Sequence, residues 1–593
     1  MAVFSQEVVL QGTSICRGIA IGHPYFFTLP EEMVPEYGIS VDAVHEEIAR
    51  YQLALDRGRE DIKSLQDRLR RECIFDGVAI LEAHLLIMQD PMLTTHVEEQ
   101  VRTTKKNVDY VFQMIMKKYQ KKFDAIKDSF FRERFKDIQD ISRRILGHLR
   151  HGAHRCLKNV PANSIVFATD LTACDTAEAQ NDCVVAFVTC SGGATSHAAI
   201  VAKAKGIPYV SSINFEQIAI EKDGWVVVDG RTGAIIVNPS EETLLKYQEL
   251  RNQLHMHLEK LTQTGKLEAE TYDGYGVQLS ANIEMCSELD MLHQFGGSGV
   301  GLLRTESAFL TKEQLPTEEE QFAIYRDFVE QMKGLSIVIR TFDLGGDKYL
   351  RNQQTIESNP FLGCRAIRFS LREKEVFKAQ LRAILRASAF GSVSIMFPMV
   401  SSLSELREAK AILREVRKEL EAKQEPIASY IPVGCMIEVP SAAIVADLLA
   451  KECDFLSIGT NDLVQYTLAV DRSNSNLSEL YSPTNPSILR LIRLIVSEAN
   501  HHGIPVTVCG EVAADPRFTP LLLGLGVHEL SVASRYLPIV KHAIRNTSIV
   551  AASKLAEEAL LLDSAADIEE LLNREYQRNA PEDRLYNLFN MNL

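Results

Sequence analysis

The sequence predicts a multidomain α/β protein, in which a small α/β domain with a helical insertion precedes a (β/α)8 barrel of the TIM type. Three observations predict this fold class. The length of 593 residues exceeds what one ordinary domain holds. Strand-like segments open the chain, give way to long charged helices and then return. In the second half, eight apolar segments alternate with helical patterns, which is typical of a (β/α)8 barrel.

The first domain is predicted from strand patterns on both sides of a helical stretch. Within residues 1–28, "EVVLQG" and "GIAIGHPYFF" alternate around glycines as strands do. Residues 29–155 carry helical periodicity, as in "HEEIARYQLALDRGREDIKSLQDRLRREC". Strand patterns return in "SIVFATD" and "GWVVVDG". We therefore predict that residues 1–28 and 156–238 form one α/β domain, into which residues 29–155 are inserted.

A linker helix and a barrel are predicted for the rest of the chain. Residues 239–268 contain one long polar helical pattern, and residues 269–593 contain the alternating segments. A doubly wound sheet is the alternative, but no G-x-G-x-x-G follows a first strand. The eight barrel strands are predicted at Val277–Ile283, Gly299–Leu303, Ser336–Arg340, Val393–Phe397, Pro432–Ile437, Phe455–Ile458, Val506–Val508 and Glu529–Val532.

Composition excludes several classes of protein. The net charge of −15 is spread along the chain without basic clusters, so a nucleic-acid partner is not expected. Eleven cysteines without a C-x-x-C pair predict free thiols in a reducing compartment. No apolar run approaches the ~18 residues of a membrane helix, and the N-terminus lacks the apolar core of a signal peptide. We expect a cytoplasmic protein with no membrane insertion.

Polar residues follow five of the predicted barrel strands, at the end where barrel enzymes carry their active sites. Taken singly, each has an ordinary explanation, such as a surface arginine or a helix cap. Together, three arginines and a lysine suit a multiply charged anion. Two carboxylates suit Mg²⁺, and a thiol is able to exchange a proton. The residues are Arg304, Arg340, Lys348, Glu438, Asn461, Asp462, Arg472 and Cys509.

A separate candidate lies in "SGGATSHAAI", residues 191–200. Gly192 and Gly193 allow close approach to His197, and a helix start beside it offers free N–H groups to an anion. A packed or capping histidine is the alternative for the segment alone. A metal ligand or a group that takes part in the chemistry are the other possibilities, and the predicted anion site favours a role in the chemistry.

Several motifs make the chain resemble enzyme I of the phosphoenolpyruvate-dependent sugar phosphotransferase system. "GGATSHAAIVAK" is similar to its phosphohistidine signature, and "DFLSIGTNDLVQYTLAVDR" is similar to its barrel signature. "LPTEEEQF" and "NPFLGCRAIR" also look like that family. The resemblance covers nearly the whole chain and implies the first step of sugar uptake.

The resemblance also implies roles for individual residues. His197 would take the phosphoryl group of phosphoenolpyruvate and pass it to a histidine phosphocarrier protein (HPr-like). Cys509 would protonate the enolate to give pyruvate, while Glu438 and Asp462 would bind Mg²⁺. The helical insertion would dock the carrier, and the barrel would form a homodimer. Phosphoenolpyruvate would be gripped by Arg304, Arg340 and Arg472, with help from Lys348 and Asn461.

The sequence alone leaves other functions open. Phosphoenolpyruvate synthase and pyruvate phosphate dikinase share the histidine unit and the barrel, but they need an ATP-binding domain for which no segment is predicted here. A regulatory phosphotransfer protein, or a scaffold that lacks activity, would keep the same architecture. Incorporation of phosphate would separate these alternatives.

Overall fold

The computed structural model describes residues 7–27, 34–71, 74–91, 93–124, 129–150, 157, 160–193, 196–214, 224–265, 267–306, 316–345, 359–472 and 475–579. The chain forms two compact units, Met1–His255 and Met256–Leu593. Among the helices of these ranges, none is both long and apolar enough to cross a membrane.

The N-terminal unit is built on one eight-stranded sheet in the order β1-β8-β7-β3-β4-β5-β6-β2. β3, β4, β5 and β6 run parallel, while the remaining strands pair antiparallel. Strands from both ends of the unit thus share one sheet, as the sequence predicts. The strands are β1 (Val8–Gln11), β2 (Thr13–Cys16), β3 (Ile19–Phe27), β4 (Ser164–Ala168), β5 (Val184–Thr189), β6 (Tyr209–Ser211), β7 (Val226–Asp229) and β8 (Ala234–Val237).

Five helices lie between β3 and β4 in the chain. Their amphipathic faces enclose a core in which Tyr51, Ile62, Phe112 and Ile145 are fully buried. The same core includes Cys174 of the α/β domain, so the two parts of the unit pack on each other. The helices are α1 (Val44–Arg71), α2 (Phe75–Ile87), α3 (Thr95–Thr104), α4 (Val108–Asp124) and α5 (Ser129–Leu149).

Three further helices complete this part of the chain: α6 (Ala173–Glu178), α7 (His197–Lys205) and α8 (Glu241–Thr264). α8 coincides closely with the predicted linker. It begins where the Ser240 hydroxyl accepts a hydrogen bond from the Thr243 N–H at 3.2 Å, which satisfies one free donor of the first turn. The boundary between the two units falls within α8.

The C-terminal unit contains a closed barrel of eight parallel strands. The predicted fold class is therefore confirmed, and every predicted strand is present to within one residue at either end. The strands are β9 (Gln278–Ile283), β10 (Gly299–Leu303), β11 (Ser336–Arg340), β12 (Val393–Phe397), β13 (Val433–Ile437), β14 (Phe455–Ile458), β15 (Val506–Val508) and β16 (Glu529–Ala533).

Helices cover the outside of the barrel, and α13 shows why. Ser402 caps its first turn in a capping box, and Leu406, Leu413 and Leu420 bury one face at helical spacing. The helices are α9 (Leu289–Gln294), α10 (Glu318–Gln331), α11 (Ile367–Arg372), α12 (Lys374–Ala387), α13 (Leu403–Ala422), α14 (Pro440–Ile444), α15 (Ala446–Ala450), α16 (Thr460–Leu468), α17 (Pro486–His501), α18 (Glu511–Ala514), α19 (Thr519–Gly524), α20 (Leu537–Arg545), α21 (Ile549–Leu561) and α22 (Ala565–Asn579).

Candidate active site

A cavity of about 260 Å³ opens at the C-terminal ends of the barrel strands. Parallel strands bring all these ends to one mouth, so residues far apart in sequence line one space. Seven of the eight barrel residues predicted from the sequence line it, whereas Lys348 lies outside the described residues. The seven are Arg304, Arg340, Glu438, Asn461, Asp462, Arg472 and Cys509.

Two buried arginines hold the floor of the cavity in a network of carboxylates. Arg340 ends β11, and its Nη2 donates to Glu306 Oε1 at 3.0 Å. Arg365 donates to both oxygens of Asp343, at 2.7 and 2.8 Å, and to Asp462 Oδ2 at 3.0 Å. Buried guanidinium groups with bidentate partners are fixed in orientation before any ligand arrives.

Two of these network residues were missed by the sequence reasoning. Arg365 lies within the "NPFLGCRAIR" segment but follows no predicted strand, so no strand-end argument reaches it. Glu306 comes two residues after Arg304, and a glutamate at that position is expected at the surface. In the structure it is buried. The motif around Arg365 was the only signal available for it.

The carboxylates Glu438 and Asp462 crowd one side of the cavity. Burial, together with the neighbouring charges of Asp462 and Asp343, raises the pKa of Glu438 to about 8. Asp462 Oδ1 is buried and lacks a hydrogen-bond partner within the described part of the chain. A Cβ on Gly459 would lie 2.8 Å from Glu438 Oε2, so this position needs glycine. Crowded, incompletely paired carboxylate oxygens fit a hard divalent cation.

The Cys509 thiol lies just beyond β15, packed against Leu302, Met396 and Met436. Burial raises its pKa to about 11, so the sulfur keeps its proton at neutral pH. The Ser457 hydroxyl donates to Sγ at 3.3 Å. Cys509 is therefore a proton-bearing thiol at the wall of a cavity lined by arginines and carboxylates.

The rim of the cavity is polar and more exposed. Arg304 pairs with Glu284 at 2.8 Å between an Nη1 and a carboxylate oxygen. Asn461 exchanges two hydrogen bonds with Glu511, at 3.1 and 2.9 Å. Arg472 lies in the loop after α16 and is exposed. These groups are placed to meet a ligand that enters from solvent.

His197 is in the other unit, where it begins α7. The Ser196 hydroxyl caps the helix by accepting the Ala199 N–H at 3.2 Å. The His197 side chain is 28% exposed, and its Nδ1 lies 3.0 Å from Asp137 Oδ1. Because an ionised carboxylate only accepts hydrogen bonds, Nδ1 carries a proton in this contact.

Asp137 comes from α5 of the helical insertion and also faces a second histidine. Its Oδ1 lies 3.1 Å from Nε2 of His84, which is fully buried. Burial alone would raise the pKa of Asp137, but its contacts with His197 and His84 lower that pKa to about 2. Asp137 was not predicted, because it lies 60 residues from His197 on a helix with no motif.

Three family models match the chain in succession. They describe the PEP-utilising enzyme N-terminal domain over residues 11–134, the mobile domain over 160–233 and the PEP-binding domain over 258–549. A closed (β/α)8 barrel whose mouth is lined by arginines and carboxylates, together with these matches, defines a phosphoenolpyruvate-utilising enzyme.

Relatives narrow this class further. Among solved structures, a solution NMR structure of Enzyme I (nEIt) has 30% identity, covers 42% of this chain and 99% of its own, and has a TM-score of 0.36. The phosphoenolpyruvate-protein phosphotransferase of Staphylococcus carnosus is 37% identical over 96% of this chain and 99% of that protein. That of Bacillus subtilis is 38% identical over 94% and 98%. By its identity to these two relatives, the chain belongs to the phosphoenolpyruvate-protein phosphotransferase family, which confirms the resemblance.

Proposed function

We propose that this chain transfers the phosphoryl group of phosphoenolpyruvate to Nε2 of His197, releases pyruvate, and passes the group to a histidine phosphocarrier protein. Membership of the family supports the class of reaction and both partners. The observation that carries the proposal is the cavity, where four arginines lie with the carboxylate pair Glu438 and Asp462 and the Cys509 thiol at one barrel mouth.

Arg304, Arg340 and Arg472 are proposed to bind the phosphate and carboxylate of phosphoenolpyruvate. Arg340 is held in place by Glu306. Arg304 and Arg472 lie at the more exposed rim, from which they are able to close over a ligand. Asn461 adds an amide donor at the same rim. Lys348 is proposed to assist on the strength of the resemblance.

Glu438 and Asp462 are proposed to hold Mg²⁺. Their oxygens are the hard ligands that Mg²⁺ prefers, and the unpartnered Asp462 Oδ1 supports the fit. A bound Mg²⁺ would supply positive charge to the oxygens of the substrate. Arg365 already holds the other oxygen of Asp462, so the carboxylate is oriented before any ion binds.

At His197, Nε2 attacks phosphorus while Asp137 holds the Nδ1 proton on the opposite side of the ring. The N–P bond forms as the bridging P–O bond of phosphoenolpyruvate breaks, which leaves the enolate of pyruvate. Cys509 then donates its proton to the terminal carbon of that enolate, and solvent restores the thiol. The Ser457 hydroxyl is placed to stabilise the transient thiolate.

We further propose the domain limits suggested by the sequence, with 1–28 and 156–238 as the phosphohistidine domain and 29–155 as the carrier-docking insertion. Residues 239–268 would be the linker, and 269–593 the barrel and dimerisation domain. The shared sheet of β1–β8 and the position of α8 support these limits. Exposed Ile444 and Leu448 offer an apolar contact for a homodimer.

A cytoplasmic location is proposed as well. The described cysteines, nine in number, are all free thiols, which is the usual state in a reducing compartment.

Incubation with phosphoenolpyruvate labelled in its phosphate, with Mg²⁺ and without ATP, tests the function. We expect an acid-labile, base-stable label on the protein that is absent from His197→Ala. His148→Ala is the matched control, because His148 is similarly exposed and also contacts a carboxylate, Asp61, at 2.8 Å. Absence of label from the unmodified chain would instead identify a scaffold without activity, and label retained in His197→Ala would exclude this nucleophile.

A further inference from the structure

A second group of chemically competent side chains lies behind Asp137. His84 of α2, Asp140 of α5 and Cys174 of α6 are all buried. His84 Nδ1 lies 3.6 Å from Cys174 Sγ and 3.8 Å from Asp140 Oδ2. The three atoms all lie within 4.8 Å of one another.

Two of these separations, from His84 Nδ1 to Cys174 Sγ and to Asp140 Oδ2, are close to those of a tetrahedral metal site. With Zn–S near 2.3 Å and Zn–N or Zn–O near 2.0–2.2 Å, tetrahedral ligand atoms lie about 3.3–3.7 Å apart. The Nδ1–Sγ distance of 3.6 Å already matches, and the Nδ1–Oδ2 distance of 3.8 Å needs to shorten by only a few tenths of an ångström.

The environment of Asp140 independently indicates a cation-binding role. Its side chain is only 4% exposed, and Oδ2 has no hydrogen-bond partner among the residues that the structure describes. A buried carboxylate oxygen without a partner is costly. Arg144, a nearby buried cation, is attracted by the charge of Asp140, but its ion pairs are with Glu178 at 2.9 Å and Asp61 at 3.3 Å.

We propose that His84, Asp140 and Cys174 bind a divalent metal ion, with Zn²⁺ preferred. Imidazole, thiolate and carboxylate together favour Zn²⁺ over Mg²⁺, which selects oxygen ligands alone. On binding, the Cys174 thiol releases its proton to solvent and the sulfur becomes a ligand. Because two ligands belong to the helical insertion and one to the α/β domain, the ion ties these two parts of the unit together.

The site also determines the orientation of His84. A metal on Nδ1 would leave the proton on Nε2, which lies 3.1 Å from Oδ1 of Asp137, the residue that contacts His197. Nε2 makes no hydrogen bond among the described residues, so a metal that fixes the ring would complete this contact. Such a metal–histidine–carboxylate chain is the usual way in which an outer residue is held by a metal site. The inference does not depend on the proposed phosphotransfer.

Titration of the full chain with Co²⁺, in the presence of excess Mg²⁺, tests the site by its thiolate-to-cobalt charge-transfer absorption. We expect one such site per chain, lost in Cys174→Ser and competed away by Zn²⁺. Cys509→Ser is the matched control, because Cys509 is the buried thiol beside the barrel carboxylates. Absorption that persists in Cys174→Ser but disappears in Cys509→Ser would overturn the proposal.

A measurement on the unmodified chain guards against a variant that fails to fold. X-ray absorption of the protein loaded with one equivalent of Zn²⁺ should show one sulfur ligand together with nitrogen and oxygen ligands. Loss of at least tenfold in Zn²⁺ affinity in Asp140→Asn would support the same ligand set. Absence of sulfur from the zinc shell, or no binding of Zn²⁺ in excess Mg²⁺, would overturn the proposal.

Discussion

Replacement of Asp137 by asparagine should slow phosphorylation of His197 while leaving the substrate site of the barrel untouched. Asparagine keeps the shape of the side chain but removes the charge that faces Nδ1 at 3.0 Å. A hydrogen bond to a charged group is worth about 1.5–3 kcal/mol. Because the His197 side chain is 28% exposed, solvent screens part of this interaction. We therefore expect the lower half of that range, a rate about 10–40-fold slower.

Single-turnover labelling from phosphoenolpyruvate measures this rate directly. The concentration of phosphoenolpyruvate that gives half the maximal rate should stay unchanged, because Asp137 belongs to the other unit. Nitrogen NMR of the His197 ring should show the proton less firmly fixed on Nδ1. Asp61→Asn is the control, since Asp61 faces His148 at 2.8 Å in the same helical insertion without being paired to His197. Equal slowing in both variants, or an unchanged rate in a folded Asp137→Asn protein, would refute the reasoning.

Three further predictions concern the barrel. Glu438→Gln should abolish the Mg²⁺ dependence of labelling. It should also raise the melting temperature of the metal-free protein, by about 2–4 °C for each kcal/mol of repulsion between carboxylates that is removed. Calorimetry without metal checks the second effect, and a lower melting temperature would contradict it. Cys509→Ser should slow pyruvate formation by about 10²–10⁴-fold, whereas the buried Cys453→Ser should react normally in the same assay. Ile444→Asp should convert a dimer to monomers in sedimentation velocity, while Leu561→Asp, at a still more exposed apolar residue, should not. A dimer that survives Ile444→Asp would place the interface elsewhere.

The barrel was predictable because its signal is local. Each strand is a short apolar run between turns. A polar residue directly after such a run lies at the barrel mouth, because the C-terminal ends of all the strands meet there. Arg340 and Glu438 could thus be assigned to one site from sequence spacing. Even the small errors are local. Pro432 was included in the apolar run of the fifth predicted strand, and its carbonyl does accept from Ile395 N–H at 2.9 Å, although β13 itself begins at Val433.

The contacts of His197 were not predictable in this way. Asp137 and His84 lie beside His197 because α2 packs against α7 and α5 packs against α2. This packing depends on tertiary geometry that the periodicity of the sequence does not encode. Arg365 was missed for the same reason, since its partners Asp343 and Asp462 come from different strand ends. Charged residues on amphipathic helices usually face solvent, so the pattern favoured the wrong environment for Asp137.

The position of the helical insertion has a consequence for how such proteins diversify. β3 and β4 are neighbouring parallel strands, so the insertion is an enlarged version of the crossover that any such pair requires. A crossover tolerates replacement far better than a strand, so this segment is suited to exchange between homologues. The exchanged segment would, however, include Asp137, which contacts His197. Any chimera that acquires a new insertion by this route would receive, in the same step, a new hydrogen-bonding environment for His197.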